Sequence, residues 1–554
     1  MLEVFSSRSG SPSIRINGVT VHSAYDPGLE ARRFMENSLE GGRPSLVVIL
    51  GEGLGYLSRR VRDAFPDARI LRIHYSAEVF QASTLPSVGS GASASGPGSD
   101  TWHPGLGQDL AEFFRARIAE LDLEGMRVLE WPPSAKIFPE QSRAANEALQ
   151  QCIRELNGSF VTTMAMGRLW LRNTLCNFLS LEEALTGAPC SRERLVVIAA
   201  SGPSLEQAAP MLRGVRDRAD IWALPSSAPF LNSAGLEPDL VVMTDPGFYG
   251  IHHLRHAASG CPVAMPLSAS RGLWTLRTRT GADSGPPRPY LLAQPGLLEE
   301  EFLRALGVDA PKIAPHGTVA ATALDLALAS TRGPVVLAGL DMCTDDILSH
   351  ARPNEFEVFY SQQSSRTLPC YSLWYRRSAD QDAARIPGGG RARAPIALRT
   401  YAGWLSGEAE ARRGEVYRLL PSAVGLPGMM PLDAATLEQV VRRCPASPPG
   451  PQFAGQAALP SGSKRLEAAR GILAGWRKTL AGGLKAARGP AGHTALSTPS
   501  VYALAYQFSA QLLMETKRKA RLGGGREARD SAVRLLEECS LFLQELEGKV
   551  THAA

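Results

Sequence analysis

Long apolar runs are missing from this chain of 554 residues. None approaches the ~20 residues needed to cross a bilayer as a helix. The eight cysteines, from Cys152 to Cys539, are widely and irregularly spaced and form no CxxC pair. That argues against a zinc ribbon and against a disulfide framework, and fits reduced thiols. Charge of one sign is also scarce. A formal balance of +5 is small for this length and gives no concentrated basic face of the kind nucleic acid requires. The opening Met1-Leu-Glu-Val-Phe-Ser-Ser-Arg8 lacks a basic region followed by an apolar stretch. No signal peptide is expected, and the expected compartment is the cytoplasm.

What is present is an ordinary globular composition, 44% apolar and 20% charged. It is too long for one core, so about two to four domains are expected. Residues 1–160 read as a first Rossmann-like domain. Ile14, Ile16 and Val19 flank Asn17-Gly18, a hairpin signal. Ser45-Leu-Val-Val-Ile-Leu-Gly-Glu-Gly-Leu-Gly55 then reads as a buried strand entering a glycine turn, with a helix over 57–65 and a strand over 69–74. The turn invites comparison with a dinucleotide or methyl-donor site. Position 56 is Tyr, so the pattern is not GxGxxG, and the next strand ends in His74-Tyr75 without the usual ribose-binding carboxylate. Glu78 lies too far on to replace it. A structural glycine turn is expected. Residues 87–108 read as a loose loop.

Residues 161–435 read as a second α/β domain. It opens with Leu195-Val-Val-Ile-Ala-Ala-Ser-Gly-Pro-Ser-Leu205, a buried strand, a turn and a helix start. The free N–H groups of such a helix suit an anion such as a nucleotide phosphate. Later strand ends deliver Ser226-Ser227, Thr244-Asp245-Pro246 and Asp341, and another helix starts near His316-Gly317-Thr318. In an open parallel sheet the ligand crevice lies at those carboxyl ends. Four successive polar ends, with Ser201, Gly202, Pro203 and Ser204 first among them, favour a nucleotide-type ligand. Asn173 and Asn177 share a helix face ahead of this domain, and the default expectation is that they satisfy nearby backbone. The stretch from Cys343 through Arg393 reads as a lid with arginines able to neutralise a phosphate or a sugar carboxylate. Residues 436–462 read as a Pro/Gly-rich linker, and 463–554 as a C-terminal helical domain with Lys517-Arg-Lys-Ala-Arg521 as a solvated basic helix end or a docking patch.

The Gly202-Pro-Ser-Leu205 turn, Pro238-Asp239 leading to Asp245-Pro246, Gly317-Thr-Val319 and Val336-Leu-Ala-Gly-Leu-Asp341 occur in one order. Together they resemble the motility accessory factor family of flagellin glycosyltransferases, whose central domain is also called domain of unknown function 115 or MptE-like. The resemblance extends over Gly51-x-Gly-x-Gly55 and Trp170-x-x-Asn173, roughly residues 40–425. It implies an α/β fold of two Rossmann-like domains, the central one sialyltransferase-like, followed by a C-terminal helical domain. It implies transfer of a nonulosonic acid, such as pseudaminic or legionaminic acid, to Ser or Thr of flagellin.

The same core is similar to CMP-sialic-acid-dependent sialyltransferases. There, residues matching Ser201, Gly202, Ser204, Ser226, Asp245, Gly317 and Thr318 line the cytidine nucleotide. Pro203, Ser227, Thr244, Pro246 and His316 adjoin them and complete the expected donor site. The general-base His of those enzymes falls near Arg391–Arg393, where this chain has none; Asp341 and His350 are the expected catalytic residues, with His316 a further alternative. A CMP-sugar is then the donor, flagellin the partner, no nucleic acid is bound, and no metal is required, although Mg²⁺ can assist. The core also resembles an archaeal pterin pyrophosphokinase, which would use Mg-ATP with Asp245 and Asp341 near the metal. A non-catalytic flagellin-binding scaffold is the third alternative.

Overall fold

The computed structural model describes residues 2–40, 42–85, 100–190, 193–254, 260–271, 288–345, 347–379, 382–384, 392–394, 416–422, 424–445, 452–489, 492–523 and 525–552, with isolated positions 398, 401, 405, 409 and 450. Two compact units are defined by contacts. The first comprises 1–161, 483–499 and 510–537; the second comprises 162–482, 500–509 and 538–554.

In the first unit, β1 (Leu2–Ser6), β2 (Pro12–Ile16) and β3 (Val19–Thr20) form an antiparallel sheet. Asn17 and Gly18 take positive φ between β2 and β3, as the Asn-Gly turn requires. A parallel sheet follows, built from β4 (Leu46–Leu50), β5 (Arg69–Ile73), β6 (Thr101–Trp102) and β7 (Met126–Glu130) in the order β6-β5-β4-β7. Strand β4 is fully buried because both its faces carry core: Val47 and Ile49 join one cluster, Leu46, Val48 and Leu50 the other. The helices of this part are α1 (Pro27–Ser38), α2 (Tyr56–Ala64), α3 (Ala77–Ser83), α4 (Leu110–Arg117), α5 (Pro132–Ile137) and the start of α6 (Pro139–Ser180). The loose loop expected over 87–108 contributes the edge strand β6, and 86–99 lie outside the described residues. Arg521 closes a bidentate pair on Glu124, with Arg518 beside it, so part of the basic run expected to be solvated is paired within this unit.

The second unit holds an all-parallel sheet of eight strands, in the order β13-β12-β11-β10-β9-β14-β18-β19. They are β9 (Leu195–Ala199), β10 (Ala219–Ala223), β11 (Leu240–Val242), β12 (Pro262–Met265), β13 (Arg288–Leu291), β14 (Val335–Ala338), β18 (Val416–Leu419) and β19 (Met430–Leu432). The chain winds outward from β9 to β13, then returns to β14 on the other side of β9. Strand order therefore reverses between β9 and β14, and a crevice opens there at the carboxyl ends. Alternate residues of β9 enter opposite cores, Leu195, Val197 and Ala199 on one face, Val196 and Ile198 on the other.

Helices α7 (Ser204–Val215), α8 (Ala228–Ser233), α9 (Phe248–Leu254), α10 (Glu299–Leu306), α11 (Val319–Ser330), α12 (Glu355–Gln363), α13 (Cys370–Ala379) and α14 (Ala434–Arg443) accompany the sheet. A small antiparallel sheet forms from β15 (Thr344–Asp345), β17 (Ala392–Ala394) and β16 (Asp382–Ala384). Within the Pro/Gly-rich stretch read as linker, β20 (Gln452–Ala458) pairs antiparallel with β8 (Glu183–Ala188), because alternate backbone groups there meet a free strand edge. Residues 385–391, part of the stretch read as lid, lie outside the described residues.

The C-terminal helices are α15 (Gly462–Ala487), α16 (Pro499–Arg521), kinked at Ser509, and α17 (Gly525–His552). The stripe Ala532, Leu535, Leu536, Cys539 and Leu543 is buried, as its spacing predicts. These helices are divided between the two units, the assignment changing within each of them. The fold class is thus mixed α/β with two parallel, Rossmann-like sheets and a helical C-terminal region. Among the described residues no helix is long and apolar enough to cross a membrane.

A buried ion pair anchors the entry to β9. Arg194 Nε donates to Asp220 Oδ1 at 2.9 Å, both side chains being fully buried. Gly450 N donates to the same oxygen at 3.0 Å. Removing one partner leaves a buried charge uncompensated. Asp220→Ala is expected to lower unfolding stability by about 3–5 kcal/mol in denaturant melts of the full chain.

Candidate functional site

The crevice between β9 and β14 is shaped by short loops. After β9 the chain runs through Ser201-Gly202-Pro203 into α7; after β14 it runs through Gly339-Leu340-Asp341. These loops are bound together. Gly202 N donates to Gly339 O at 2.8 Å, and Ala351 N donates to Ser201 O at 2.8 Å. Ser204 N donates to Asp341 Oδ2 at 2.8 Å. The N terminus of α7 is therefore closed by a carboxylate from within the protein. It satisfies an otherwise orphan donor and complements the positive end of the helix.

Gly202 is required by this contact. A Cβ there would run into the Asp341 carboxylate and come within 2.6 Å of Gly339 O. Gly202 is expected from the resemblance to line the nucleotide; the structure places the Asp341 carboxylate against it. Asp341 itself is 5% exposed.

The other expected residues sort by exposure. Ser227 is buried, donating to Ala199 O at 2.7 Å and so bracing the end of β9. Ser201, Ser226, Thr244, Asp245, Pro246, His316, Gly317 and Thr318 remain half-buried along the carboxyl ends. Asp245 Oδ1 accepts from Gly247 N at 2.7 Å, fixing its own turn. His316 Nε2 lies 3.2 Å from Asp325 Oδ2, which ties the loop before α11 to the helix that follows. Thr318 caps α11 by position, with no hydrogen bond from its side chain to the helix. The Ser204 hydroxyl is buried without a hydrogen-bond partner among the described residues.

His350 precedes Ala351, whose N–H binds Ser201 O. Its ring packs on Phe356, 4.9 Å between centroids, and its Nδ1 is 2.8 Å from Ser349 Oγ. Burial, with His253 and Arg377 adding positive charge nearby, pushes its pKa down to about 3. The ring is thus neutral at working pH and weakly basic, so on its own it lacks the near-neutral pKa that suits a general base.

A second tier of buried polar groups holds the strand-end loops. Asn173 Nδ2 donates to Pro246 O and Ser268 O at 3.0 and 3.1 Å. Asn177 Nδ2 donates to Leu267 O and Ala269 O at 2.8 and 2.9 Å. Both asparagines satisfy backbone, as expected by default. Glu299, fully buried, accepts from Ser268 N at 2.9 Å and from Gln294 N at 3.4 Å, and burial pushes its pKa up to about 7. Sequence reasoning missed Glu299, which looks like one of three solvated acids in Glu299-Glu300-Glu301. It also missed Asp325, whose signal was an acid inside the apolar run of α11. Among the described residues no group of three or more His, Cys, Asp or Glu is arranged to hold a metal ion.

Two outcomes follow from these contacts. Glu299 has a folded pKa above its unfolded value, so its contribution to stability is full below about pH 4.5 and is lost as pH rises through about 7. Melting temperature is expected to fall over that window, and Glu299→Gln to remove a part of the slope worth on the order of 3 kcal/mol. Asn177→Ala leaves two buried carbonyls unpaired and is expected to cost about 2–3 kcal/mol in the same melts.

Residues 171–346 match the family model described as 6-hydroxymethylpterin diphosphokinase MptE-like. An uncharacterized protein of Treponema pallidum (strain Nichols) is 26% identical over 287 residues, 48% of this chain and 61% of that protein. A second uncharacterized protein of the same organism is 27% identical over 125 residues, 22% of this chain and 60% of its own length. The chain thus spans about three fifths of the length of these curated relatives. A solved structure, that of MAf glycosyltransferase from Magnetospirillum magneticum AMB-1, is similar with a TM-score of 0.57 and 13% identity, covering 99% of this chain and 93% of the other. At that identity the likeness is one of fold. The motif-based resemblance is borne out at this level: the middle of the chain carries the MptE-like pattern, and the chain has the fold of a Maf protein.

Proposed function

We propose that the chain is a glycosyltransferase moving a nonulosonic, sialic-acid-like sugar from a CMP donor to Ser or Thr of flagellin, with inversion. One observation carries this reading: small hydroxyl side chains lie along the carboxyl ends of an all-parallel sheet with a switch point at β9 and β14, in a chain with the Maf fold. The donor phosphate belongs at the N terminus of α11, beside Gly317 and Thr318, because that helix start has no side-chain cap whereas α7 already holds Asp341. The free Ser204 hydroxyl, with Ser201 and Ser226, meets the rest of the donor, and Thr244 and Asp245 orient the ribose and base.

In the reaction the acceptor oxygen attacks the anomeric carbon, the bond to CMP breaks, and a base takes the hydroxyl proton. Asp341 and His350 are the candidates. His350 becomes competent when the negative donor phosphate and sugar carboxylate raise its depressed pKa. CMP departs as a stable anion, so the chemistry needs no metal, and Mg²⁺ can assist. The reading places the enzyme in the cytoplasm, with the C-terminal helices docking flagellin.

The MptE-like match favours a second reading, a Mg-ATP-dependent pyrophosphokinase. Calorimetry on one protein preparation separates the two. CMP binding that survives chelation of divalent ions is expected, and Gly317→Val is expected to weaken it at least about tenfold. Binding of Mg-ATP without binding of CMP would refute the transferase.

A further inference from the structure

The surface beside His350 carries aromatic side chains that have no part in donor binding. Two segments leaving the central sheet build it. Helix α9 starts two residues after Pro246, and α12 and α13 follow the loop that Ala351 fastens to Ser201. Their rings touch in series. Phe248 meets Tyr249 at 5.9 Å between centroids, and Tyr249 meets Phe356 at 5.5 Å and Phe359 at 5.7 Å. Phe359 meets Tyr360 at 5.8 Å, and Tyr360 meets Trp374 at 4.8 Å. Phe356 and Trp374 are buried and anchor the series. The outer rings are open to solvent: Phe248 is 63% exposed, Tyr371 67% and Tyr375 63%. Tyr371 and Tyr375 lie one turn apart on α13 and so share a face. Exposed apolar residues scattered singly are ordinary, whereas rings gathered on three adjoining helices mark a surface that meets another molecule.

The occupant follows from what adjoins the rings. His350 packs on Phe356, so the inner edge of the surface is a candidate base. A base that takes the acceptor's proton must reach the acceptor hydroxyl. The donor phosphate is assigned to the start of α11, which contributes no ring here. The surface therefore belongs to the acceptor. Its charges are balanced and engaged within it. Arg377 lies over Phe356 at 4.6 Å and donates to the Tyr360 hydroxyl at 3.0 Å. Glu357 accepts from Asn354 N at 3.2 Å. Neither selects an acidic or a basic partner. Rings with phenolic tips and no dominant charge suit an uncharged polypeptide, whose side chains pack on the ring faces while its amides meet the hydroxyls.

We propose that α9, α12 and α13 form an acceptor-docking surface, on which an extended, uncharged, Ser/Thr-containing segment of the acceptor protein lies with its hydroxyl toward His350. The proposal rests on the transferase reading and adds the place where the acceptor enters. Phe248, Tyr371 and Tyr375 hold the segment, and Phe356 couples it to the imidazole. The C-terminal helices grip the body of the acceptor, and the rings select the stretch that is modified.

Calorimetry on the full chain, with CMP in excess and flagellin as the titrant, tests this. Phe248→Ser and the double variant Tyr371→Ser/Tyr375→Ser remove exposed rings, and both are expected to melt with the wild type. Each is expected to weaken flagellin binding at least about tenfold, as removal of an aromatic anchor does. The double variant is expected to keep its affinity for CMP. Leu541→Ser, at a side chain 66% exposed on α17, is the contrast. Weakening by the ring variants with CMP affinity intact in the double variant supports the proposal. Equal binding by the wild type and both ring variants overturns it, as does a loss confined to Leu541→Ser. No binding of flagellin by the wild type at micromolar concentration overturns it as well. So does a wild-type dimer that sedimentation shows dissociating in the ring variants, since the surface then joins two copies of the chain. A chain that binds no CMP fails as the transferase, and its flagellin titrations still decide the docking surface.

Discussion

The contact between Asp341 and the Ser204 N–H at the start of α7 holds the central crevice in shape. It joins the end of β14 to the helix that follows β9, across the point where strand order reverses. Gly202 exists to permit it, since any side chain would displace the carboxylate or the Gly339 carbonyl. The backbone bonds Gly202 N to Gly339 O and Ala351 N to Ser201 O reinforce the same seam. With the start of α7 occupied from within, the uncapped start of α11 is the one to which the proposed function assigns the donor phosphate. In the first sheet the carboxylate of Glu52, just beyond β4, is likewise buried ahead of the helix that follows, α2.

The loops that form the rest of the crevice are held from behind by polar groups. Asn173 and Asn177 each donate to two carbonyls, and Glu299 accepts from two backbone N–H groups. Buried networks of this kind are costly when incomplete and rigid when complete. Their completeness at the ends of β11 and β12 holds the turn that carries Thr244 and Asp245 on a stiff frame. Rigid support of strand-end residues is what a site for positioning a nucleotide and an acceptor requires.

Much of this was legible in the sequence because the responsible signals are local. Continuous apolar runs such as Leu46–Leu50 and Leu195–Ala199 announce strands buried on both faces. Asn17-Gly18 announces a turn, and the stripe from Ala532 to Leu543 announces a helix with one buried face. The domain boundary expected at residue 160 falls inside one helix of 42 residues, since no proline interrupts Glu140 to Ser180 and Gly158 and Gly167 alone do not stop it. The long-range pairings were not legible. Nothing in the composition of Gln452–Ala458 says that it meets Glu183–Ala188, and nothing near Glu299 distinguishes it from the exposed acids beside it. For the site, the expected residues do gather at the strand ends. Their division of labour was hidden, because whether a carboxylate faces a ligand or a helix end depends on partners more than a hundred positions away, as Ser204 and Asp341 are.

The claim that the β9–β14 crevice holds a cytidine nucleotide, with Asp341 fixed on α7 and the phosphate at α11, is tested most directly by a crystal structure of the chain with CMP. The account predicts a phosphate within hydrogen-bond distance of the Gly317–Thr318 backbone, with Asp341 still accepting from Ser204 N. A nucleotide phosphate seated on α7 with Asp341 displaced, or CMP absent from this crevice at saturating concentration, would contradict it.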